Sequence, residues 1–198
     1  MDKEYYLLEK GSAYPSLEYH DSDNYDLDWN LGWNEPIEMP EDLFDLYSRN
    51  SKIVDYHRLF GNEHVFSERV KQAIEELNPV NIGFLPAVIR TRKNYYENYF
   101  IFYSYNIIPC MDIPNSAYKE SSKSTPEQFR ALTLYKLALD SSKLADIPLS
   151  ERLIFSLGEC RSYTLFHESV INNIEKLNPK GMHAISLDAW YSDINFIL

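Results

Sequence analysis

The chain has 198 residues, of which 44% are hydrophobic and 25% charged, and this ordinary globular usage excludes wholesale disorder. No stretch approaches the roughly 18 uncharged apolar residues of a membrane-spanning helix, and the N-terminus lacks the basic start and apolar run of a secretory signal. The two cysteines, Cys110 and Cys160, are too few for a disulfide framework or a zinc cluster. We therefore expect a soluble protein of a reducing, cytoplasmic compartment.

The net charge of −11 is concentrated near the N-terminus. Residues 1–45 hold 13 acidic and two basic side chains, whereas the 17 acidic and 17 basic side chains of residues 46–198 cancel. A strongly negative segment repels nucleic-acid phosphates and attracts basic partners. The acidic segment therefore disfavours nucleic-acid binding and favours a basic protein partner. The alternative is an acidic surface that serves only solubility.

In chain order, the first predicted element is a short strand at 3–8. Residues 9–39 combine glycines, prolines and many acids, which predicts an irregular segment. The acidic turn Pro40-Glu41-Asp42 then favours a short helix, because proline and carboxylates suit a first helical turn. That helix would carry Leu43, Phe44, Leu46 and Tyr47, and residues 50–64 would form a connection.

A better-defined helix is predicted from an N-cap at Ser67 to about Leu77. Its apolar residues recur at the three-to-four spacing of one buried face, namely Phe66, Val70, Ala73, Ile74 and Leu77. Asn78-Pro79 ends the helix, because the residue before a proline is forced out of the helical conformation. Strands are then predicted at 82–89 and 95–110, joined by a polar turn at 90–94.

The second half follows a similar order. A loop is predicted at 112–126, and a strand at 132–139, although 129–139 also fits a helix. A strand at 153–157, a helix at 165–177 and a strand at 182–187 complete the pattern. The sequence thus predicts an α+β fold with mixed or antiparallel sheets and a few short helices.

The two helices are related by an internal repeat. Eight identities occur at a constant offset of 100 residues: Phe66, Glu68, Val70, Ile74, Glu75, Leu77, Asn78 and Pro79 match Phe166, Glu168, Val170, Ile174, Glu175, Leu177, Asn178 and Pro179. The shared Leu-Asn-Pro stop is not a requirement of helix formation. We predict duplicated helix–strand lobes at 65–112 and 165–190 within a single domain spanning 1–198, because a solenoid requires three or more units.

No familiar catalytic motif occurs in the sequence. It lacks a glycine-rich phosphate loop, H-E-x-x-H, C-x-x-C and G-x-S-x-G, and its five histidines are scattered without ligand spacing. We therefore expect neither a metal ion nor an organic cofactor, and no enzymatic activity. His167 is predicted to occupy a helix start. The alternative is an enzyme of unrecognised type, whose cleft between the two lobes would be lined by Glu68, Glu168 or Cys160.

The pattern most suggestive of binding is an acidic run interleaved with aromatic residues. Aspartates steer an oppositely charged partner, and large aromatics anchor it. The candidate partner-binding residues are Tyr19, Asp21, Asp23, Tyr25, Asp26, Asp28, Trp29, Trp33 and Glu35. A calcium loop is a rival interpretation, but the glycine and glutamate that it requires are out of register. A second rival is a surface loop held by Trp29 and Trp33 in the core.

The sequence resembles immunity protein family eleven in several soft motifs. These are Val65-Phe66-Ser67-Glu68-Arg69-Val70, Tyr95-Tyr96 leading through Tyr99 to Asp112, Leu137–Asp140, Leu153–Phe155, and Leu165-Phe166-His167-Glu168-Ser169-Val170. The similarity spans roughly Tyr5 to Trp190, and one departure from the repeat is His167 where the first copy has Ser67. The resemblance implies a cytoplasmic bacterial protein that binds and neutralises a cognate toxin, with no catalytic residues to carry over.

The leading hypothesis is accordingly a non-catalytic immunity protein that occludes a toxin domain. An acidic inhibitor suits a basic toxin such as a nuclease, because complementary fields accelerate association. Besides the enzyme alternative, a scaffold or regulator that binds another basic protein fits the same charge pattern.

Overall fold

The computed structural model describes residues 2–20, 44–49, 52–59, 63–120 and 132–191. Within these ranges the chain is α+β, with 13 strands in mixed and antiparallel sheets and three short helices, as the sequence predicted. The strands are β1 (Tyr5–Lys10), β2 (Glu18–Tyr19), β3 (Phe44–Tyr47), β4 (Tyr56–Arg58), β5 (His64–Ser67), β6 (Ile82–Arg90), β7 (Tyr95–Ser104), β8 (Ile107–Ile108), β9 (Ala117–Glu120), β10 (Leu132–Lys136), β11 (Ile154–Leu157), β12 (Cys160–His167) and β13 (Met182–Ser186). The helices are α1 (Glu68–Glu75), α2 (Ser141–Ala145) and α3 (Glu168–Glu175).

Two larger sheets and one strand pair organise these elements. The first sheet has six strands in the order β2-β3-β6-β7-β5-β4, with β3 and β6 parallel and the other neighbours antiparallel. The second has five strands in the order β13-β1-β12-β11-β8, with only β11 and β8 parallel. Strands β9 and β10 form a separate antiparallel pair.

The cores follow from the alternation of side chains along the strands. One face of the six-stranded sheet and one face of the five-stranded sheet contribute to a shared cluster, in which Phe66 and Phe102 meet Phe166. The apolar faces of α1 and α3 complete this cluster with Val70, Ile74, Val170 and Ile174. The opposite face of each sheet has its own apolar cluster. The two sheets therefore face each other across an aromatic core that includes both helices.

The two repeated helices occupy equivalent places. Each follows a strand directly, β5 before α1 and β12 before α3, and each is followed by a strand of the same sheet that is separated from the first by one intervening strand. Strand β7 lies between β5 and β6, and β1 lies between β12 and β13. After the helices, Asn78 and Asn178 adopt left-handed conformations with φ of 48° and 49°. This agreement supports the proposal that 65–112 and 165–190 are duplicated lobes.

The prediction of a helix at 40–47 is wrong for residues 44–47, the part of it that the structure describes. Phe44–Tyr47 form strand β3, in which buried and half-buried residues alternate. In so short a segment the spacing of apolar residues fits both the helical period of 3.6 residues and the strand period of two, so the local pattern does not decide between helix and strand. Pairing with β6 on one side and β2 on the other decides it instead, because these partners supply the backbone hydrogen bonds.

Candidate functional site

The acidic segment begins and ends on one pair of strands. Glu18 and Tyr19 pair with Tyr47 and Leu46, and the His20 N–H donates to the Asp45 carbonyl at 2.9 Å. The next residue after His20 opens the stretch 21–43, which returns to the sheet at Phe44. This stretch has eight acidic side chains and no basic one: Asp21, Asp23, Asp26, Asp28, Glu35, Glu38, Glu41 and Asp42. The strongest concentration of negative charge is thus attached to a single sheet edge.

Of the predicted partner-binding residues, the structure describes Tyr19. Its ring is half-buried and lies against Phe44, with ring centroids 6.4 Å apart, so Tyr19 is part of the anchor of the segment. The other predicted residues lie outside the described residues: Asp21, Asp23, Tyr25, Asp26, Asp28, Trp29, Trp33 and Glu35.

Acidic side chains on the flanking strands are paired with arginines. Asp45 of β3 accepts from Arg90 Nε at 2.8 Å, and Glu18 of β2 lies 2.8 Å from Arg49. Arg90 also stacks over the Tyr95 ring, 5.2 Å from its centroid. These pairs neutralise the strand carboxylates locally, so Glu18 and Asp45 add little to the net negative charge of the acidic segment.

The two repeated glutamates do not form an acid pair. Helices α1 and α3 run antiparallel, because Asn173 Nδ2 donates to the Ala73 carbonyl at 2.7 Å while Arg69 Nη1 donates to the Leu177 carbonyl at 3.1 Å. Glu68 and Glu168 each start a helix of eight residues, about 12 Å long at 1.5 Å per residue. They therefore lie at opposite ends of the helix pair, and both are exposed.

Cys160 is also separated from Glu168. It begins β12, whereas Glu168 follows the end of that eight-residue strand, so roughly 25 Å of extended chain lies between them. The Cys160 thiol is buried and donates to the Leu132 carbonyl at 3.3 Å. Burial raises the pKa of the other thiol, Cys110, to about 12. Cys160 and Glu168 therefore do not line one common site.

The helix-start position predicted for His167 is confirmed. Its ring Nδ1 accepts from the Ser169 N–H at 3.2 Å and lies 2.9 Å from Ser169 Oγ. Burial lowers the pKa of His167, which favours the neutral ring that accepts this hydrogen bond. The corresponding Ser67 in the first copy uses its hydroxyl differently and donates to Asp55 at 3.0 Å.

A small polar cavity lies between the sheets. It has a volume of about 180 Å³, and its charged and aromatic lining includes Glu9, Arg58, His64 and Trp190. Trp190 Nε1 donates to Glu9 at 3.2 Å, and His64 Nδ1 lies 2.8 Å from the Tyr56 hydroxyl. Within the described ranges, no three His, Cys, Asp or Glu side chains are grouped as a metal site.

Comparison with known proteins places the chain in a family. The model of the immunity protein family Imm11 matches residues 1–183, and the protein therefore belongs to that family. No curated protein matches the sequence. None of the helices in the described ranges is long and apolar enough to cross a membrane.

Proposed function

We propose that the protein binds a cognate bacterial toxin domain and neutralises it by occlusion. Membership of an immunity protein family across residues 1–183 carries this proposal, because the family indicates a toxin-neutralising role. Immunity proteins of this kind are in general not enzymes, and the separation of Glu168 from Glu68 and from Cys160 agrees with action by binding. The place of action is the bacterial cytoplasm, without a metal ion or cofactor.

The proposed toxin-binding surface is the acidic stretch and its anchor. It consists of Tyr19, Asp21, Asp23, Tyr25, Asp26, Asp28, Trp29, Trp33 and Glu35. Two observations support it: the absence of bases between 21 and 43, and the neutralisation of the flanking carboxylates by Arg49 and Arg90. Charge complementarity calls for a basic partner, and a toxin that binds nucleic acid, such as a nuclease, has that property.

The decisive experiment is a titration of toxin activity with the purified protein. The toxin domain is the one encoded beside the gene, and its activity is measured at a fixed concentration while the immunity protein increases. Occlusion predicts complete inhibition at one equivalent and a stable complex in size-exclusion chromatography. Inhibition at small fractions of one equivalent would instead show catalytic inactivation. No inhibition at a large excess would contradict the immunity role for that toxin.

A further inference from the structure

The small polar cavity lies where two neighbouring strands of the five-stranded sheet separate. The pairing of β1 with β12 consists of Tyr5 with His167 and Tyr6 with Phe166. Beyond the second pair, β1 continues to Lys10, and β12 extends back to Cys160. On these two strands the cavity is lined by Leu7, Leu8 and Glu9 and by Ser162, Tyr163 and Thr164. The cavity therefore occupies the gap in which the ladder between β1 and β12 would have continued.

The backbone of β1 presents Leu8 to this gap. The Tyr5 carbonyl accepts from the Leu187 N–H at 3.0 Å, so the odd-numbered residues of β1 bond towards β13. Successive residues of a strand in antiparallel ladders bond to opposite sides, so the N–H and C=O of Leu8 point towards β12. The Tyr56 hydroxyl from the other sheet donates to the Leu8 carbonyl at 3.3 Å, which agrees with this direction.

The backbone of β12 presents Thr164 from the opposite side of the gap. The His167 N–H donates to the Leu153 carbonyl at 2.8 Å, so the odd-numbered residues of this part of β12 bond towards β11. The N–H and C=O of Thr164 therefore point towards β1, in the register that would have paired Thr164 with Leu8. Because buried backbone groups are nearly always hydrogen-bonded, a gap lined in this way suits a polar occupant.

The side chains around the gap supply one negative and one positive charge. Glu9 accepts from Trp190 Nε1 at 3.2 Å, and Arg58 reaches the cavity from β4 of the other sheet. His64 uses Nδ1 for the Tyr56 hydroxyl at 2.8 Å. Burial and the nearby Arg58 charge lower the pKa of His64, so its ring is neutral and adds no third charge. The cavity thus combines a carboxylate and a guanidinium group.

The volume of the cavity limits the size of a ligand. At about 180 Å³ it exceeds the cavity of about 150 Å³ that holds a benzene ring, but it is smaller than the sites of about 300 Å³ or more that hold drug-sized molecules. A molecule of about six to eight non-hydrogen atoms therefore fits. Ser162 lies at the exposed side of the lining, so the cavity is accessible from solvent.

We propose that this cavity binds a small zwitterion of the amino-acid type, with its carboxylate towards Arg58 and its ammonium group towards Glu9. A simple anion would meet the Glu9 carboxylate and a simple cation would meet the Arg58 guanidinium group, whereas a zwitterion satisfies both charges. The backbone groups of Leu8 and Thr164 supply further hydrogen bonds. This site is independent of the toxin-binding role, and neither depends on the other.

An NMR titration of the full, isotopically labelled chain with L-alanine tests the proposal. Saturable shifts are expected for the Trp190 indole N–H and the Leu8 amide, because both groups lie at the cavity. Propionate lacks the ammonium group and ethylamine lacks the carboxylate, so each is expected to bind at least about tenfold more weakly than L-alanine. The absence of saturable shifts with L-alanine overturns the proposal, and so do equal affinities for the three compounds.

Two variants that remove one charge each test the orientation of the ligand. Glu9→Gln keeps an acceptor for the Trp190 indole and is expected to weaken L-alanine binding by about tenfold without weakening propionate. Arg58→Gln is expected to weaken L-alanine similarly without weakening ethylamine. Glu97→Gln, at an exposed position of β7 outside the cavity lining, is the matched control and should bind L-alanine like the wild type. The amide spectrum shows whether each variant is folded. Wild-type affinity for L-alanine in folded Glu9→Gln or Arg58→Gln overturns the proposal.

Discussion

At the scale of single residues, Asp55 connects parts of the chain that are distant in sequence. Its carboxylate accepts from Ser67 Oγ, from Arg69 Nε and Nη2 at 2.6 Å each, and from the Lys180 N–H. Its backbone carbonyl also accepts from the Ser67 N–H at 2.8 Å. The sequence predicted only a connection at this position. Nothing near Asp55 distinguishes it from other acids, because its partners lie 12 to 125 positions away.

Removing the charge of Asp55 is expected to destabilise the fold. Asp55→Asn weakens several charge-assisted hydrogen bonds, and we expect a loss of about 2 kcal/mol at neutral pH, limited by the half-exposed Arg69 side chain. Urea denaturation of Asp55→Asn and the wild type measures the difference. Asp146→Asn, at an exposed position, is the control and should leave stability unchanged.

The stability difference between Asp55→Asn and the wild type is also expected to depend on pH. Burial alone raises the pKa of Asp55, but the hydrogen bonds from Arg69, Lys180 and Ser67 outweigh it and hold the pKa below its usual range. The Asp55 contribution is therefore present above the unfolded pKa of about 4 and is lost as pH falls through the lower folded pKa. The stability difference between wild type and Asp55→Asn should shrink in strong acid. A difference that stays constant would contradict the role of the charge.

Buried histidines are expected to make the protein sensitive to mild acid. Burial lowers the pKa of His57 to about 4 and that of His64 well below its usual value. The unfolded chain binds protons at histidine below about pH 6.5, whereas these folded rings resist protonation. Their contribution is therefore complete above pH 6.5 and is lost as pH falls towards 4.

His57→Gln isolates one of these groups. The glutamine oxygen replaces His57 Nε2 as acceptor for the Val54 N–H, which lies 3.2 Å away, but it does not titrate. We expect the variant to lose less stability between pH 6.5 and 4 than the wild type, by on the order of 2 kcal/mol. Chemical denaturation at several pH values measures this slope. His183→Gln, at an exposed position, is the matched control for a His-to-Gln change outside the core.

At the scale of elements, prediction succeeded where one segment determines its own structure. The helix after Ser67 has an apolar face and an Asn-Pro stop, and α1 lies where both signals place it. Residues 165–167, predicted as helical, instead complete strand β12, whose pairing with β1 and β11 extends to Phe166 or beyond. Strands β4 and β9 were missed for a related reason. Each is short, and its partner strand supplies the hydrogen bonds that define it.

The asparagines that end α1 and α3 are expected to contribute equally to stability. Asn78 and Asn178 have positive φ, which asparagine and glycine tolerate and alanine does not. Asn78→Ala and Asn178→Ala are each expected to destabilise the fold by about 1 kcal/mol, while the glycine variants stay near wild type. Thermal denaturation compares the four variants. Asn172→Ala, on the exposed face of α3, is the control and should be neutral. Very different costs at the two asparagines would argue against equivalent lobes.

At the scale of the whole molecule, charge is divided unevenly between a balanced body and one acidic stretch. Changing Asp21, Asp23, Asp26 and Asp28 to asparagine is expected to slow association with the toxin, by about tenfold at low salt, while the fold stays intact. Higher salt should slow the wild type in the same way, because the charges become screened. Stopped-flow binding measures both effects. Association rates that ignore the four changes and the salt would exclude this surface while leaving the immunity role untouched.

The tryptophans of the acidic stretch have a different expected effect. If Trp29 or Trp33 anchors the toxin, its change to alanine should accelerate dissociation and weaken binding by at least about 2 kcal/mol. If the same side chain belongs to the core, the change should lower the melting temperature. Measuring both the dissociation rate and the melting temperature separates these roles. Tyr14→Ala, at a half-buried residue outside the proposed surface, should leave the dissociation rate unchanged.

The sequence predicted where the acidic stretch of the candidate site lies in the chain. It did not predict the strands to which the two ends of that stretch are attached. Counting acids and bases located the stretch, since charge depends on composition alone. That Tyr19 and Phe44 lie together follows only from the pairing of β2 with β3 and of β3 with β6. Those contacts join residues that are far apart in the chain, and no local pattern encodes them.

Both ends of the acidic stretch are attached to the same pair of strands, β2 and β3. Because His20 is bonded to Asp45, the span to be bridged is fixed by the sheet and not by the residues between. The entropy of closing a loop grows only with the logarithm of its length, about 0.6 kcal/mol for each doubling. The pairing of β2 with β3 thus holds the two ends of the stretch at one fixed separation. If this stretch is the toxin-binding surface proposed above, exchanging it between family members is expected to change the recognised toxin while the β2–β3 pairing is kept.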